Sequence, residues 1–69
     1  MQPIDPLVAE LVNRLDDNLR EAYEERAGII EYETNLPREH AEALALINVL
    51  VSNPEAVKQI FERKNHHLM

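Results

Sequence analysis

Several residue types that build common protein sites are missing or scarce in this 69-residue chain. Cysteine is absent, which excludes disulfide bonds and thiolate metal ligands together. A single glycine, Gly28, excludes the glycine-rich loops that hold phosphates and dinucleotides. Tryptophan is absent as well, and β-branched residues seldom occur in runs, so the composition favours helices over a small β-fold.

Catalytic and metal-binding patterns are also lacking. Ser52 is the one serine, and it lies where a helix cap is predicted, with no glycine-rich loop to supply an oxyanion hole. Di-iron sites in helical bundles use Glu-x-x-His, but the residues three positions before the histidines are Pro37, Arg63 and Lys64. We therefore predict no enzyme, no cofactor and no metal site.

The formal charge of −6 is unevenly distributed along the chain. Residues 1–36 carry nine acidic and three basic side chains, whereas residues 37–69 carry four of each. An acidic first half disfavours direct binding to nucleic acid and to membrane surfaces, because both are polyanions. No signal peptide is visible, and the longest mostly apolar run, residues 43–51, is too short to span a bilayer. We expect a cytoplasmic protein without a membrane segment.

The first predicted helix is long, covering about residues 6–33. Asp5 can cap its free N–H groups, and Pro6 is tolerated at the first helical position. Gly28 costs about 1 kcal/mol relative to alanine but does not end a helix that is apolar on both sides of it. Uninterrupted, such a helix is about 40 Å long. Apolar residues at spacings of three and four define its inner stripe, which includes Val8, Leu11, Leu15 and Leu19.

Two shorter helices are predicted after a turn at Asn35, which tolerates the left-handed conformation that commonly ends helices. The second covers about residues 37–51. Its apolar residues occupy most of the circumference, so we expect it to be central and buried on several sides. The third covers about residues 54–64. The chain is therefore predicted to be all-α, a single small domain over residues 1–69, with a bundle completed by self-association.

The second and third helices also resemble the arrangement of a helix-turn-helix. The third helix offers polar side chains that could contact phosphates and bases, namely Lys58, Gln59, Arg63, Lys64 and Asn65. The acidic balance of the chain opposes this interpretation, as does the use of Val57, Ile60 and Phe61 for packing.

The stretch at about residues 21–45 resembles a short helical motif of bacteriophage and mobile-element proteins associated with replication. Its form is aromatic-x-x-Arg-Ala-Ala-Ile-x-Glu-x-Asp-Gly-Gly-Leu-Ser-Arg-x-x-Ala-Glu. This chain departs from it at Thr34 and Asn35, where two glycines are usual, and at Pro37. The resemblance implies a genomic setting and no particular reaction. The matching positions are Tyr23, Arg26, Ala27, Ile29, Glu31, Leu36, Arg38, Ala41 and Glu42.

The same stretch has a purely physical interpretation, as the corner between two helices. Within it, we expect Arg26 to connect the turn to Glu42.

These patterns predict a non-enzymatic, helical protein–protein interaction module of phage or mobile-element origin. We expect a homodimer, because an 8 kDa chain cannot cover so long a first helix and a second subunit would bury the remaining stripe. Substituting Leu15→Glu should then break the dimer or unfold the chain. An unidentified protein partner is also expected. The predicted interaction residues are Val8, Leu11, Leu15 and Leu19 on the apolar stripe, and Asp16, Asp17, Glu21, Glu24, Glu25 and Arg26 among the charged residues.

A nucleic-acid-related accessory role is the alternative prediction. It takes one of two forms: weak DNA contact through the third helix, or imitation of DNA by the acidic side chains of the first helix.

Overall fold

Four α-helices with short connections make up the part of the chain that the structure describes. The structure is a computed structural model, and it describes the backbone of residues 3–68 and the side chains of residues 3–61. The predicted all-helical class is confirmed for this part, but with four helices in place of three. The helices are α1 (Pro6–Val12), α2 (Asp17–Thr34), α3 (Arg38–Ser52) and α4 (Pro54–Leu68).

The predicted first helix, residues 6–33, is wrong because it is broken at residues 13–16 into α1 and α2. At the end of α1, the N–H groups of Arg14 and Leu15 donate to carbonyls three residues earlier, at 3.1 and 3.0 Å, which tightens the last turn. Asp16 then adopts an extended backbone with φ −72° and ψ 175°. The apolar spacing of three and four continues across this break, so periodicity alone predicted one helix.

The antiparallel hairpin of α2 and α3 forms the main packing pair, and α3 also contacts α1 and α4. Its connection is residues 35–37, short enough to place the two helices side by side. Asn35 has φ 59° and ψ 20°, which confirms the predicted left-handed end of α2. Gly28 lies within α2 without interrupting it, as predicted.

The core runs along the hairpin of a molecule with extents of 43 × 22 × 16 Å. Each helix contributes, so burial of apolar surface joins all four into one packed unit. The second predicted helix, now α3, is central as predicted, because it contacts the other three helices. The prediction that it is buried on several sides is wrong, because only one of its faces is covered. The buried core side chains are Val8, Val12, Leu15, Leu19, Tyr23, Ala27, Ala45, Leu46, Val49, Ala56 and Ile60.

None of the helices, over the described residues, combines the length and the apolar character needed to cross a membrane.

Candidate interaction surfaces

The apolar stripe predicted as an interface lies mostly inside the chain. Val8, Leu15 and Leu19 are 8%, 1% and 7% exposed, and all three belong to the core. Leu11 is half-buried against the same core. The break before Asp16 shortens the helix whose uncovered surface was the reason to expect a dimer. The stripe therefore contributes to folding, and that reason for self-association is lost.

Asp16 connects the start of α2 to α4. One carboxylate oxygen accepts the Leu19 N–H at 2.9 Å and so caps α2, while the other accepts the Gln59 amide at 2.8 Å. In return, the Asp16 backbone N–H donates to the Gln59 side-chain oxygen at 2.9 Å. These hydrogen bonds, the one from Leu19 first, hold the pKa of Asp16 below its usual value.

The same contacts account for two predicted site residues. Asp16 acts as a structural cap, and Gln59, proposed from sequence as a DNA contact, is engaged within the chain. Nearby, the guanidinium of Arg14 donates to the Ile60 carbonyl at 3.3 Å and to Glu10 at 2.9 Å. Hydrogen bonds of Arg14 and Asp16 with residues of α4 therefore hold the connection between α1 and α2 against α4.

The remaining charged site residues are exposed on α2. Asp17, Glu21 and Glu24, spaced by four and three, line an open depression together with Arg20, and we term these three carboxylates the acidic face. Arg20 donates to the Leu15 carbonyl at 3.2 Å, which satisfies a backbone group freed by the helix break. Among the described residues no cluster of three or more metal-ligating side chains forms. The other two charged residues predicted as interaction residues, Glu25 and Arg26, are also exposed but lie outside this depression.

An ionic cluster around the buried Glu42 fixes the corner between α2 and α3. Glu42 is 2% exposed, and it accepts the Ile4 backbone N–H at 2.9 Å and the Arg38 side chain at 3.0 Å. Arg38 also pairs with Glu31 at 2.9 Å, and the two carboxylates raise its pKa. The expectation that Arg26 makes this connection is wrong: Arg26 is exposed and Arg38 holds Glu42. Arg38 and Glu42 are four residues apart in one helix, a spacing that favours an ion pair, so this contact could have been predicted from the sequence.

Tyr23 lies in the core with 2% of its surface exposed, and its hydroxyl has no hydrogen-bond partner among the described residues. Burial, followed by the nearby negative charge of Glu42, raises the pKa of Tyr23 to about 12. The phenol therefore stays protonated near neutral pH. Tyr23 acts in packing, and its arrangement offers no proton donor or acceptor to a bound molecule.

A second apolar surface, which was not predicted from the sequence, lies on α3 opposite its buried face. Leu44, Ile47 and Val51 are 44%, 55% and 78% exposed, and we term these three side chains the α3 outer face. Residues 43–53 contain no charged side chain. The signal was present in the sequence, as apolar residues all around this helix. That pattern predicts a helix buried on several sides, because nothing local in the sequence distinguishes a covered face from an uncovered one.

Compared with protein-family models, curated proteins and solved structures, the chain has no significant match to any of them.

Proposed function

We propose that this protein is a cytoplasmic, non-enzymatic, helical protein–protein interaction module whose contact surface is the α3 outer face. The supporting observation is the exposure of three large aliphatic side chains on one uncharged helix face. Contiguous apolar surface of this kind is unfavourable in water and is typical of protein-binding sites. The fold does not need it, because α3 packs through its other face.

Two carboxylates that are hydrogen-bonded within the chain support a non-enzymatic role. Glu42 is occupied by Ile4 and Arg38, and Asp16 is occupied by Leu19 and Gln59. A general acid or base must be able to reach a substrate proton, and carboxylates held in this way are already committed to structure. The resemblance of about residues 21–45 to a motif of replication-associated proteins supports a phage or mobile-element origin.

Site-specific photo-cross-linking in cells that carry the gene tests the contact surface. A photoreactive phenylalanine analogue replaces Ile47 in one variant and Tyr32, which is 87% exposed on α2, in the control. We expect clearly more protein adducts from position 47 than from position 32, because a partner bound to the α3 outer face lies within reach of the side chain at position 47. If position 47 gave no adducts, or no more adducts than position 32, the proposal would be contradicted.

The second candidate function is imitation of DNA by the acidic face. The observation that favours it is the placement of Asp17, Glu21 and Glu24 along one open side of α2. Under this alternative, the protein displaces DNA from a DNA-binding partner, and the binding weakens steeply as salt rises. The double variant Glu21→Gln, Glu24→Gln should then lose competition with DNA. An unchanged competition curve would exclude the acidic face.

Direct DNA contact through α4, the other form of this alternative, has less support. Gln59 is one of its proposed contacts, and its amide group is held by Asp16. A gel shift with the purified protein and duplex DNA tests this form, and we expect no shift at low salt.

A further inference from the structure

We propose that the occupant of the α3 outer face is a second copy of this chain, packed antiparallel about a twofold axis that passes near Ile47. The inference rests on the proposed function, because it names the partner of the same surface. In such a pair, Leu44 of one copy meets Val51 of the other, and the two Ile47 side chains meet at the axis.

The spacing of the exposed side chains fits a helical partner. Leu44, Ile47 and Val51 follow one another at three and four residues, which is the narrow apolar seam through which two helices pack side by side. A seam with its central residue at position 47 is self-complementary, since rotation about that position exchanges its two ends. Twofold pairing of identical patches is the commonest form of protein self-association.

The charge of the chain favours a second copy on this surface over its other surfaces. Two molecules of net charge −6 repel one another, and like charges placed opposite each other at an interface cost several kcal/mol. The uncharged stretch at residues 43–53 lets two copies meet without bringing carboxylates together. A basic partner would be attracted instead to the acidic face on α2, and it would gain nothing from an uncharged seam.

The size of the surface sets the expected affinity. Stable interfaces bury about 800 Å² per partner, roughly a sixth of the 5061 Å² accessible surface of this chain. The helix α3 has 15 residues and is about 22 Å long, so one of its faces buries less than that standard area. We therefore expect a reversible dimer with a dissociation constant of about 10⁻⁵ to 10⁻³ M.

Sedimentation equilibrium of the full chain at protein concentrations up to about 1 mM tests the pairing. Measurements at about 0.1 M and 1 M NaCl should show tighter self-association at the higher salt, because screening shortens the Debye length from about 10 Å to 3 Å and weakens the repulsion between two acidic copies. A monomeric mass at every concentration and salt would overturn the proposal.

A matched pair of charge variants locates the interface. Ile47→Lys and Tyr32→Lys each replace an exposed apolar side chain, 55% and 87% exposed, with one positive charge. Both variants lower the net negative charge of the chain and so weaken the long-range repulsion between copies, but only Ile47→Lys brings its two new charges together at the twofold axis and out of water. We expect Ile47→Lys to raise the dissociation constant at least about tenfold, while Tyr32→Lys leaves it within about twofold. Equal effects of the two variants would place the interface elsewhere.

Circular dichroism melting of both variants accompanies these measurements, since both positions are exposed and neither variant should unfold. The photo-cross-linking experiment separates this inference from the proposed function. Homodimer adducts at position 47 support a second copy. Adducts to a different protein alone overturn self-pairing and leave the interaction module standing, whereas the absence of any adduct contradicts both.

Discussion

The two arms of the hairpin, α2 and α3, bury one face against each other but differ in what they present outward. The outward side of α2 includes the acidic face, whose carboxylates are solvated. The outward side of α3 is the α3 outer face, within a stretch that carries no charge. One buried face per helix is enough to stabilise a hairpin, so the outer residues of either arm are free to serve another purpose.

This difference separates two uses of apolar residues. On the inner face of α3 they contribute to the free energy of unfolding of the chain itself. On its outer face they leave apolar area in water and contribute little until another molecule covers it. The same residue type should therefore give different results at the two faces, and the predictions below use that contrast.

The largest expected effect comes from two leucines on α3. Leu46 is 4% exposed and Leu44 is 44% exposed. Leu46→Ala should lower the free energy of unfolding by about 2–5 kcal/mol, because it removes buried methyl groups and leaves a cavity. Leu44→Ala should change it by less than about 1 kcal/mol. Urea denaturation of dilute monomer measures both, and comparable losses at the two positions would erase the distinction between the inner and outer faces.

On the inner face of α2, the prediction concerns alkaline pH. The pKa of Tyr23 is about 12 in the folded chain and 10.0 as the reference value for the unfolded chain. The unfolded chain therefore loses the phenol proton first. The resulting stability is fully present below pH 10 and is lost as the pH rises through 12. The full loss is about 3 kcal/mol, measured by denaturation at a series of pH values.

The variant Tyr23→Phe is the control for this pH dependence. It should remove this part of the alkaline loss, and the difference absorbance titration between wild type and variant reports the Tyr23 phenol alone. At neutral pH the variant should be as stable as wild type or slightly more so, because the lost hydroxyl has no partner among the described residues. A clear loss of stability at neutral pH would mean that the hydroxyl is hydrogen-bonded.

A smaller effect is expected at the start of α2, where two adjacent aspartates differ in role. Asp16 caps the helix and bonds Gln59, whereas the Asp17 side chain is fully exposed. Asp16→Ala should lower the melting temperature more than Asp17→Ala does. Because the pKa of Asp16 is lowered from 3.8, its contribution is present above that value and is lost as the pH falls through the lowered pKa. Equal melting temperatures for the two variants at pH 7 would show that the cap is unimportant.

The smallest effect is expected on the outward side of α2, at Gly28. A methyl group added there meets nothing within 4 Å, and the backbone is not in the left-handed region. Gly28→Ala should raise the free energy of unfolding by about 0.5–1 kcal/mol through helix propensity and a less flexible unfolded chain. Thermal or urea denaturation measures this gain. A destabilised variant would indicate that this side of α2 is closely approached by another helix.

Local signals in the sequence predicted several features of the fold correctly. Asp5 caps α1 ahead of Pro6, Asn35 ends α2 in the left-handed conformation, and Gly28 leaves α2 continuous. Each of these depends on the preferences of one residue and its immediate neighbours, which is the information that a sequence carries most directly.

The break at residues 13–16 and the exposure of α3 were not predicted, for related reasons. Hydrophobic periodicity reports which side of a helix is apolar, but not what covers that side. At the break, the apolar spacing continues through Leu15 and Leu19 although the helix does not. On α3, the exposed apolar residues of the outward side produce the same sequence pattern as a helix that is buried on several sides.

Sequence alone thus determined the helical class, the acidic first half, the cap of α1 at Asp5 and the turn at Asn35 that ends α2. The tertiary structure decided which apolar stripe is buried and which polar groups are paired. The bonds of Asp16 with Gln59 join residues 43 positions apart, and those of Glu42 with Ile4 join residues 38 apart. Such contacts depend on where whole helices pack, because propensity acts over one or two turns whereas burial is settled by every element at once.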